Sequence, residues 1–248
     1  MSGAVYQAAA GALLQQMRMD MLSNNLANIN TTGYKADRPA FRLDVSAASE
    51  EVPGNTVPGR LSPYAPPLEA LTDFTPGPAG RTGNPLDVAI VGEGFFEVQA
   101  PEGRRYTRNG NLTINEEGLL STSDGWPVMG QGGEIAIDGS KVEITGQGEI
   151  YVDGEAVDIL KVVAFDQPQQ LTKTGNTLFA APQGVAGNSV DEDQVQVAQG
   201  FLEGANVNAI RTMTEVIETM RVFEAYQRII RSVDETTAKA VNEVGKNV

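Results

Sequence analysis

The sequence predicts an α+β protein in which N- and C-terminal helices form a coiled-coil or helical-bundle domain beside a central antiparallel all-β domain. Apolar residues recur at helical spacing in residues 2–29 and again in residues 208–245. Between them, apolar residues alternate with polar ones and turn signals are frequent. We therefore expect a discontinuous helical assembly domain at residues 1–35 plus 201–248. An extended proline-rich linker is expected at residues 36–80, and a β-domain at residues 81–200.

The first helix is predicted from about Gly3 to about Asn28, which is roughly 40 Å at 1.5 Å per residue. Its small residues, Ala8–Ala12, allow another helix to approach closely. The sequence Thr31–Gly33 ends it. An apolar stripe follows steps of three and four residues, and its members are our candidate subunit contacts: Val5, Ala9, Ala12, Met19 and Leu26.

The middle of the chain has frequent turn residues, as is typical of short strands joined by tight turns. Frequent prolines in residues 36–85 exclude a long element there and favour an extended linker. A core strand is predicted at Val162–Phe165, with further strands near Leu178–Phe179 and Val195–Val197. Turn dipeptides follow at short intervals and indicate a sandwich or barrel: Glu102-Gly103, Asn109-Gly110, Glu117-Gly118, Asp124-Gly125, Asp138-Gly139 and Asp153-Gly154.

The last helix is predicted from residue 208 to residue 244, or roughly 55 Å. Either Asn208, or Thr212 with Glu215, caps its start, and Gly245 ends it. It is too long to be covered by the first helix, so we expect neighbouring molecules to cover the rest; the alternative is pairing within one molecule alone. Its candidate contacts follow steps of three and four: Met213, Val216, Met220, Phe223, Ile230 and Val241.

Composition limits the functional classes. The net charge is −14; the first 45 residues carry +1 and the last 48 carry −1, so the acidity lies in the middle. No basic stripe exists to bind nucleic acid. Histidine and cysteine are absent, which removes common catalytic bases and metal ligands, so we expect no enzyme and no cofactor. No basic residue precedes the apolar stretch Ala8–Leu14, and we expect no cleaved signal peptide. No apolar run is long enough to span a membrane.

Three weak chemical motifs are better interpreted as structure. The glycines at 92–94 and 130–133 lack the Gly-Lys-Ser/Thr of a phosphate loop and indicate turns. The acids at 191–193 lack the spacing of a calcium loop. Asp87, Glu93 and Glu97 could supply a carboxylate pair, but no other feature marks a cleft around them.

Three segments, in the right order, resemble the signatures of the flagellar basal-body rod and hook family. The first is residues 23–35, the second lies within residues 84–110, and the third runs from residue 200 to residue 224. Ala205 departs from the residue that many relatives carry there. The signature residues are Asn24, Asn25, Leu26, Ala27, Asn28, Gly33, Tyr34, Gly200, Leu202, Glu203, Asn206, Val207, Arg221 and Glu224.

The resemblance implies a structural role in the periplasmic rod of the bacterial flagellum, which transmits torque from the motor to the hook. Other rod proteins and copies of the chain itself are the implied partners, and the flagellar type III apparatus is the implied export route. The chain's size and its one middle domain resemble the proximal rod proteins, with the distal rod proteins as the alternative. A wall-degrading enzyme of the axial complex is the competing class.

Overall fold

Two helices stand at the ends of a β-rich chain in this computed structural model, which confirms the α+β class. The structure describes residues 2–41, 68–175, 177–185, 187–190 and 196–246. The helices are α1 (Ser2–Ala27) and α2 (Ala209–Lys246). The strands of the described part are β1 (Asp37–Phe41), β2 (Leu68–Thr72), β3 (Ala79–Arg81), β4 (Val88–Ile90), β5 (Phe95–Ala100), β6 (Gly103–Thr107), β7 (Leu112–Ile114), β8 (Leu120–Thr122), β9 (Val142–Ile144), β10 (Glu149–Val152), β11 (Glu155–Ile159), β12 (Val162–Ala164), β13 (Thr172–Gly175), β14 (Leu178–Ala180), β15 (Asn188–Ser189), β16 (Val197–Gln199) and β17 (Phe201–Glu203).

The chain separates into two compact units. Within the described residues, unit 1 contains α1, β1, most of β2 and α2, whereas unit 2 contains residues 28–36 and 72–207. Unit 2 therefore includes the short segments that leave α1 and that lead to α2 in the sequence. Among the described residues, neither α1 nor α2 combines the length and the hydrophobicity that a membrane-spanning helix needs.

Local signals account for the helix ends. After α1, the Thr31 hydroxyl donates a hydrogen bond to Asn28 Oδ1 at 3.2 Å, and Gly33 has a φ of +68°. Before α2, Asn208 Oδ1 accepts a hydrogen bond from the amide of Arg211 at 3.0 Å, so Asn208 is the cap. Of the two caps predicted, the structure thus shows the first.

Residues 37–41 and 68–72 are strands rather than the extended linker expected there. They pair as a two-stranded sheet, β1–β2. The start of β1 is attached to α1, because Asn25 Nδ2 donates to the Asp37 carbonyl at 2.8 Å and Asn25 Oδ1 accepts from the Asp37 amide at 2.9 Å. Residues 42–67, which the linker prediction also covers, lie outside the described residues.

Antiparallel pairing dominates unit 2. Its largest sheet has six strands in the order β13-β14-β6-β5-β12-β15, and a second sheet has the order β11-β10-β9. Short pairs complete it: β7–β8, β16–β4 and β17–β3. The predicted strands at 162–165 and 178–179 appear as β12 and β14, and the third appears as β16, beginning at Val197.

The core of unit 2 consists of two clusters that share strands. Along β5, Phe96 and Val98 belong to the larger cluster and Phe95 to the smaller, as expected from the alternation of side chains along a strand. In the smaller cluster, the rings of Tyr106 and Phe165 meet edge to face at 4.8 Å. The larger cluster includes Val88, Ile90, Phe96, Val98, Leu112, Leu120, Val128, Ile135, Ile137, Ile144, Ile150, Leu160, Val162, Leu178 and Val197.

We predict that Ile135→Ala destabilises unit 2 by about 2–5 kcal/mol, because the deleted atoms leave a cavity in the larger cluster. Ile135 is 0% exposed, whereas Ile114 is 38% exposed, so Ile114→Ala is the matched control and costs less. Trp126, the one tryptophan of the chain, packs against this cluster and reports its unfolding in urea by fluorescence. Equal losses in the two variants would contradict this description of the core.

Candidate assembly interface

The two helices of unit 1 pack against each other. They come close at Gly11, where an added Cβ would lie 2.5 Å from the ring of Tyr226. A glycine at this position therefore lets a large aromatic side chain pack directly on the backbone of α1. On α1 the buried apolar residues are Ala8 and Leu22.

α2 carries two apolar stripes, and only one of them is buried within the chain. Residues with little or intermediate exposure follow steps of four and three: Thr212, Val216, Thr219, Phe223, Tyr226, Ile230 and Val233. A second stripe, which we call the open stripe, consists of Ile210, Met213, Ile217 and Met220. These four side chains are 80%, 51%, 54% and 51% exposed respectively.

A groove of about 450 Å³ lies between α1 and α2. Its apolar floor combines small residues of α1 with large ones of α2, and Arg231 is its one charged lining residue. The lining residues are Ala9, Ala12, Leu13, Gln16, Phe223, Gln227, Ile230 and Arg231. The groove and the open stripe thus give unit 1 two apolar surfaces of different shape.

The structure brings four of the eleven predicted contact residues together in this groove: Ala9, Ala12, Phe223 and Ile230. Met213 and Met220 are in the open stripe, and Ala9 is exposed. The side chain of Val241 lies outside the described residues. The others have intermediate exposure: Val5, Met19, Leu26 and Val216. That these residues contact other subunits stays a prediction.

A buried cluster of charges in unit 2, which the sequence reasoning did not single out, joins the two segments that flank the helices. We call residues 28–36 and 200–207 the arms, and Lys35, Arg108 and Glu203 the clasp. Lys35 Nζ lies 2.6 Å from Glu203 Oε1, and Arg108 Nη1 lies 3.1 Å from Glu203 Oε2. The three side chains are at most 4% exposed. Burial lowers the pKa of the Lys35 amine, while the hydrogen bond to Glu203 opposes that shift.

The arms are also hydrogen-bonded to each other. The Gly33 amide donates to the Glu203 carbonyl at 2.8 Å. Asn206 Oδ1 accepts from the Ala36 amide at 2.7 Å, and its Nδ2 donates to the Asp73 carbonyl at 2.7 Å. Several signature residues therefore have a structural explanation, because they pair the two ends of the chain.

The other signature residues differ in burial and in backbone conformation. Tyr34 is buried, with Lys173 Nζ 4.5 Å from its ring centroid. Gly200 has a φ of +76°, and its amide donates to the Asp87 carbonyl at 2.7 Å. Leu202 and Val207 have intermediate exposure. On the surfaces of the helices lie Asn24, Ala27, Arg221 and Glu224.

The weaker chemical candidates have structural partners. Asp87 Oδ1 accepts hydrogen bonds from Asn84 at 3.1 Å and from Asn111 at 3.0 Å. Glu97 pairs with Lys161 and Arg104, on the same carboxylate. The glycines at 130–133 form a turn, and residues 191–195 lie outside the described residues. Within the described part of the chain, no group of three or more acidic side chains is arranged to hold a metal ion.

We predict that Gly33→Ala destabilises unit 2 more than two control substitutions do. At Gly33 the backbone has a φ of +68° and an added Cβ would lie 2.4 Å from the Asn109 amide nitrogen. Gly83 has a φ of +78° with open space around it, and Gly80 has open space without positive φ. The strain at positive φ costs about 1–3 kcal/mol. In denaturant unfolding, Gly33→Ala should therefore lose the most free energy of unfolding, Gly83→Ala less and Gly80→Ala the least. A Gly33→Ala variant of unchanged stability would refute the tight contact.

Family models match three parts of the chain. A model described as the flagellar hook protein FlgE/F/G D1 domain matches residues 89–152. A model for the C-terminal part of flagellar basal body rod FlgEFG proteins matches residues 198–243, and a flagella basal body rod protein model matches residues 6–35. Each match contains or overlaps one of the signature segments.

Curated relatives align with the chain from end to end. It is 33% identical to the basal-body rod protein FlgF of Caulobacter vibrioides, over 99% of both chains. It is 31% identical to FlgF of Escherichia coli, over 97% of both, and 34% identical to the rod protein FlgG of Agrobacterium fabrum, over 92% of this chain and 94% of that one. The chain therefore belongs to the flagellar basal-body rod protein family, with the FlgF-type relatives matching nearly its full length, and it is a structural component of the rod.

Proposed function

We propose that this chain forms part of the proximal rod, where its helices pack with those of neighbouring subunits into a helical tube that transmits torque from motor to hook. The observation that carries this proposal is the open stripe of α2, whose four large apolar side chains are each at least half exposed. A soluble protein rarely presents such a continuous apolar row without a partner to cover it.

Hydrophobic burial supplies the driving force. Fully burying one large apolar side chain stabilises by about 1.5–3 kcal/mol, so a half-exposed one retains about half of that for association. Each contact between two subunits is then modest. A rod with many such contacts is stiff because the terms add over its length, which suits the transmission of torque.

The difference between the two apolar surfaces favours an open assembly. If the groove of one subunit receives a different surface of the next, the contact is heterologous and repeats as a helix unless the rotation closes a ring. The spacing of the apolar residues on α2 suits coiled-coil or bundle packing. We assign this assembly role to residues 1–35 plus 201–248, with residues 36–80 as a connection and residues 81–200 as the β-domain.

The same proposal includes a route and a location. The family resemblance supports export by the flagellar type III apparatus and a periplasmic position in the basal body. The absence of cysteine suits a chain that is exported unfolded, because no thiols can pair wrongly on the way. The copies of this chain and the other rod proteins are then its partners.

A distal position in the rod is the second candidate. It is favoured by the 34% identity to the FlgG of Agrobacterium fabrum, which is as high as the identity to the FlgF relatives. Cryo-microscopy of purified basal bodies separates the two, because it shows whether the chain is next to the membrane motor or next to the hook.

We predict that Phe223→Asp and Ile230→Asp each block incorporation into basal bodies and abolish swimming, because each places a charge in the apolar groove. Both variants should be exported, and the fluorescence of Trp126 should show that unit 2 stays folded. Ser232→Asp, at an exposed position of the same helix, is the matched control and should swim. Normal motility of both groove variants would contradict the proposed packing of α1 and α2 with neighbouring subunits.

A further inference from the structure

The arms are attached to the β-domain mainly by polar contacts. Their buried apolar residues are few, namely Tyr34, Ala36 and Ala205. Thr32 donates a hydrogen bond to Asn109 Oδ1 at 2.7 Å, and Asn206 Nδ2 donates to the Asp73 carbonyl. The polar contacts also include the pairing of β17 with β3, so the attachment combines a short backbone ladder with a few specific side chains.

Glu203 is the group on which these contacts converge. Its Oε1 accepts from Lys35 Nζ at 2.6 Å and from the Gly77 amide at 2.8 Å, and its Oε2 accepts from Arg108 at 3.1 Å. Two buried cations thus share one buried carboxylate. Both cations have further acceptors, since Lys35 Nζ donates to the Thr75 carbonyl and Arg108 Nη2 to that of Gly92. A carbonyl supplies no compensating charge, so the loss of the carboxylate leaves two buried positive charges facing each other.

The two core clusters of unit 2 do not include the arms. All the buried members of both clusters lie between Val88 and Val197, whereas the arms are residues 28–36 and 200–207. The buried apolar members of the core therefore lie outside the arms, and the clasp contacts them through Arg108, whose guanidinium lies 5.3 Å from the centroid of the Phe95 ring. The arms, in turn, are tied to each other through Gly33 and Asn206, so they move as a pair.

We propose that the clasp is an electrostatic latch, in which the carboxylate of Glu203 keeps the paired arms on the β-domain and its loss releases both arms while the core clusters stay folded. The arms form a separate cooperative unit with its own opening equilibrium. In the sequence, residues 28–36 lie between α1 and β1, and residues 200–207 lie between β16 and α2. The latch therefore controls the freedom of both chain ends, a property that the proposed packing of α1 and α2 does not require.

Hydrogen exchange on the full chain tests the latch through the substitution Glu203→Gln. The arm amides to follow are Gly33, Ala36 and Gly204, and the core amides are Leu120 and Val128, which donate to the carbonyls of Ile135 and Leu120 respectively. We expect arm exchange to accelerate at least about a hundredfold and core exchange to change by less than about threefold. Glu102→Gln, which neutralises an exposed ion pair with Arg105, is the control and should change neither set.

A second substitution separates charge from shape. Lys35→Met added to Glu203→Gln removes one of the two uncompensated cations, so arm exchange should slow relative to Glu203→Gln alone. A purely steric role for these side chains predicts the opposite, because each substitution would add its own packing defect.

Three outcomes overturn the latch. In the first, hydrogen exchange accelerates equally at the arm and core amides, or the fluorescence of Trp126 shows that Glu203→Gln does not fold. Either result means that the arms belong to the cooperative unit of the core. In the second, neither set changes. In the third, the double variant exchanges faster in its arms than Glu203→Gln does.

Discussion

The buried carboxylate of Glu203 holds together parts of the chain that are far apart in sequence. Its partner Lys35 is 168 positions away and its partner Arg108 is 95 positions away. Placing these charges inside the protein is unfavourable unless all three meet, because each would otherwise lose its hydration without compensation. The N-terminal and C-terminal arms must therefore meet at one place, and the rest of unit 2 can fold as an ordinary antiparallel β-domain around this constraint.

The helices follow a different physical rule from the β-domain. In unit 2 the two core clusters are enclosed by the chain itself and scattered apolar side chains such as Ile114 are exposed, whereas in unit 1 a row of large apolar side chains is exposed along α2. α2 has 38 residues and α1 has 26, so α2 is longer by roughly 18 Å at 1.5 Å per residue. A helix pair of unequal length cannot cover both members completely. The open stripe lies on a second face of α2, and this exposed apolar surface is available for the neighbouring subunits that we propose.

Features that depend on local sequence could be predicted, and features that depend on distant pairing could not. Asn208 was predictable as a cap because the cap bonds to an amide three residues later. The predicted subunit contact Ala9 is exposed beside the buried Ala8, so it remains available to a neighbouring subunit and stays a prediction. The clasp gave no such signal, since lysine and arginine are usually exposed and their partner lies far along the chain.

Methionine footprinting of the free protein and of purified basal bodies shows whether neighbouring subunits cover the exposed apolar faces of α1 and α2, as we propose. Met213 and Met220 are 51% exposed, so both should oxidise readily in the free chain. In assembled rods we expect strong protection of both methionines, while exposed β-domain side chains such as Ile114 stay accessible to hydroxyl radicals. Equal oxidation of Met213 and Met220 in the free chain and in the rod would contradict the proposal that neighbouring subunits cover this face of α2.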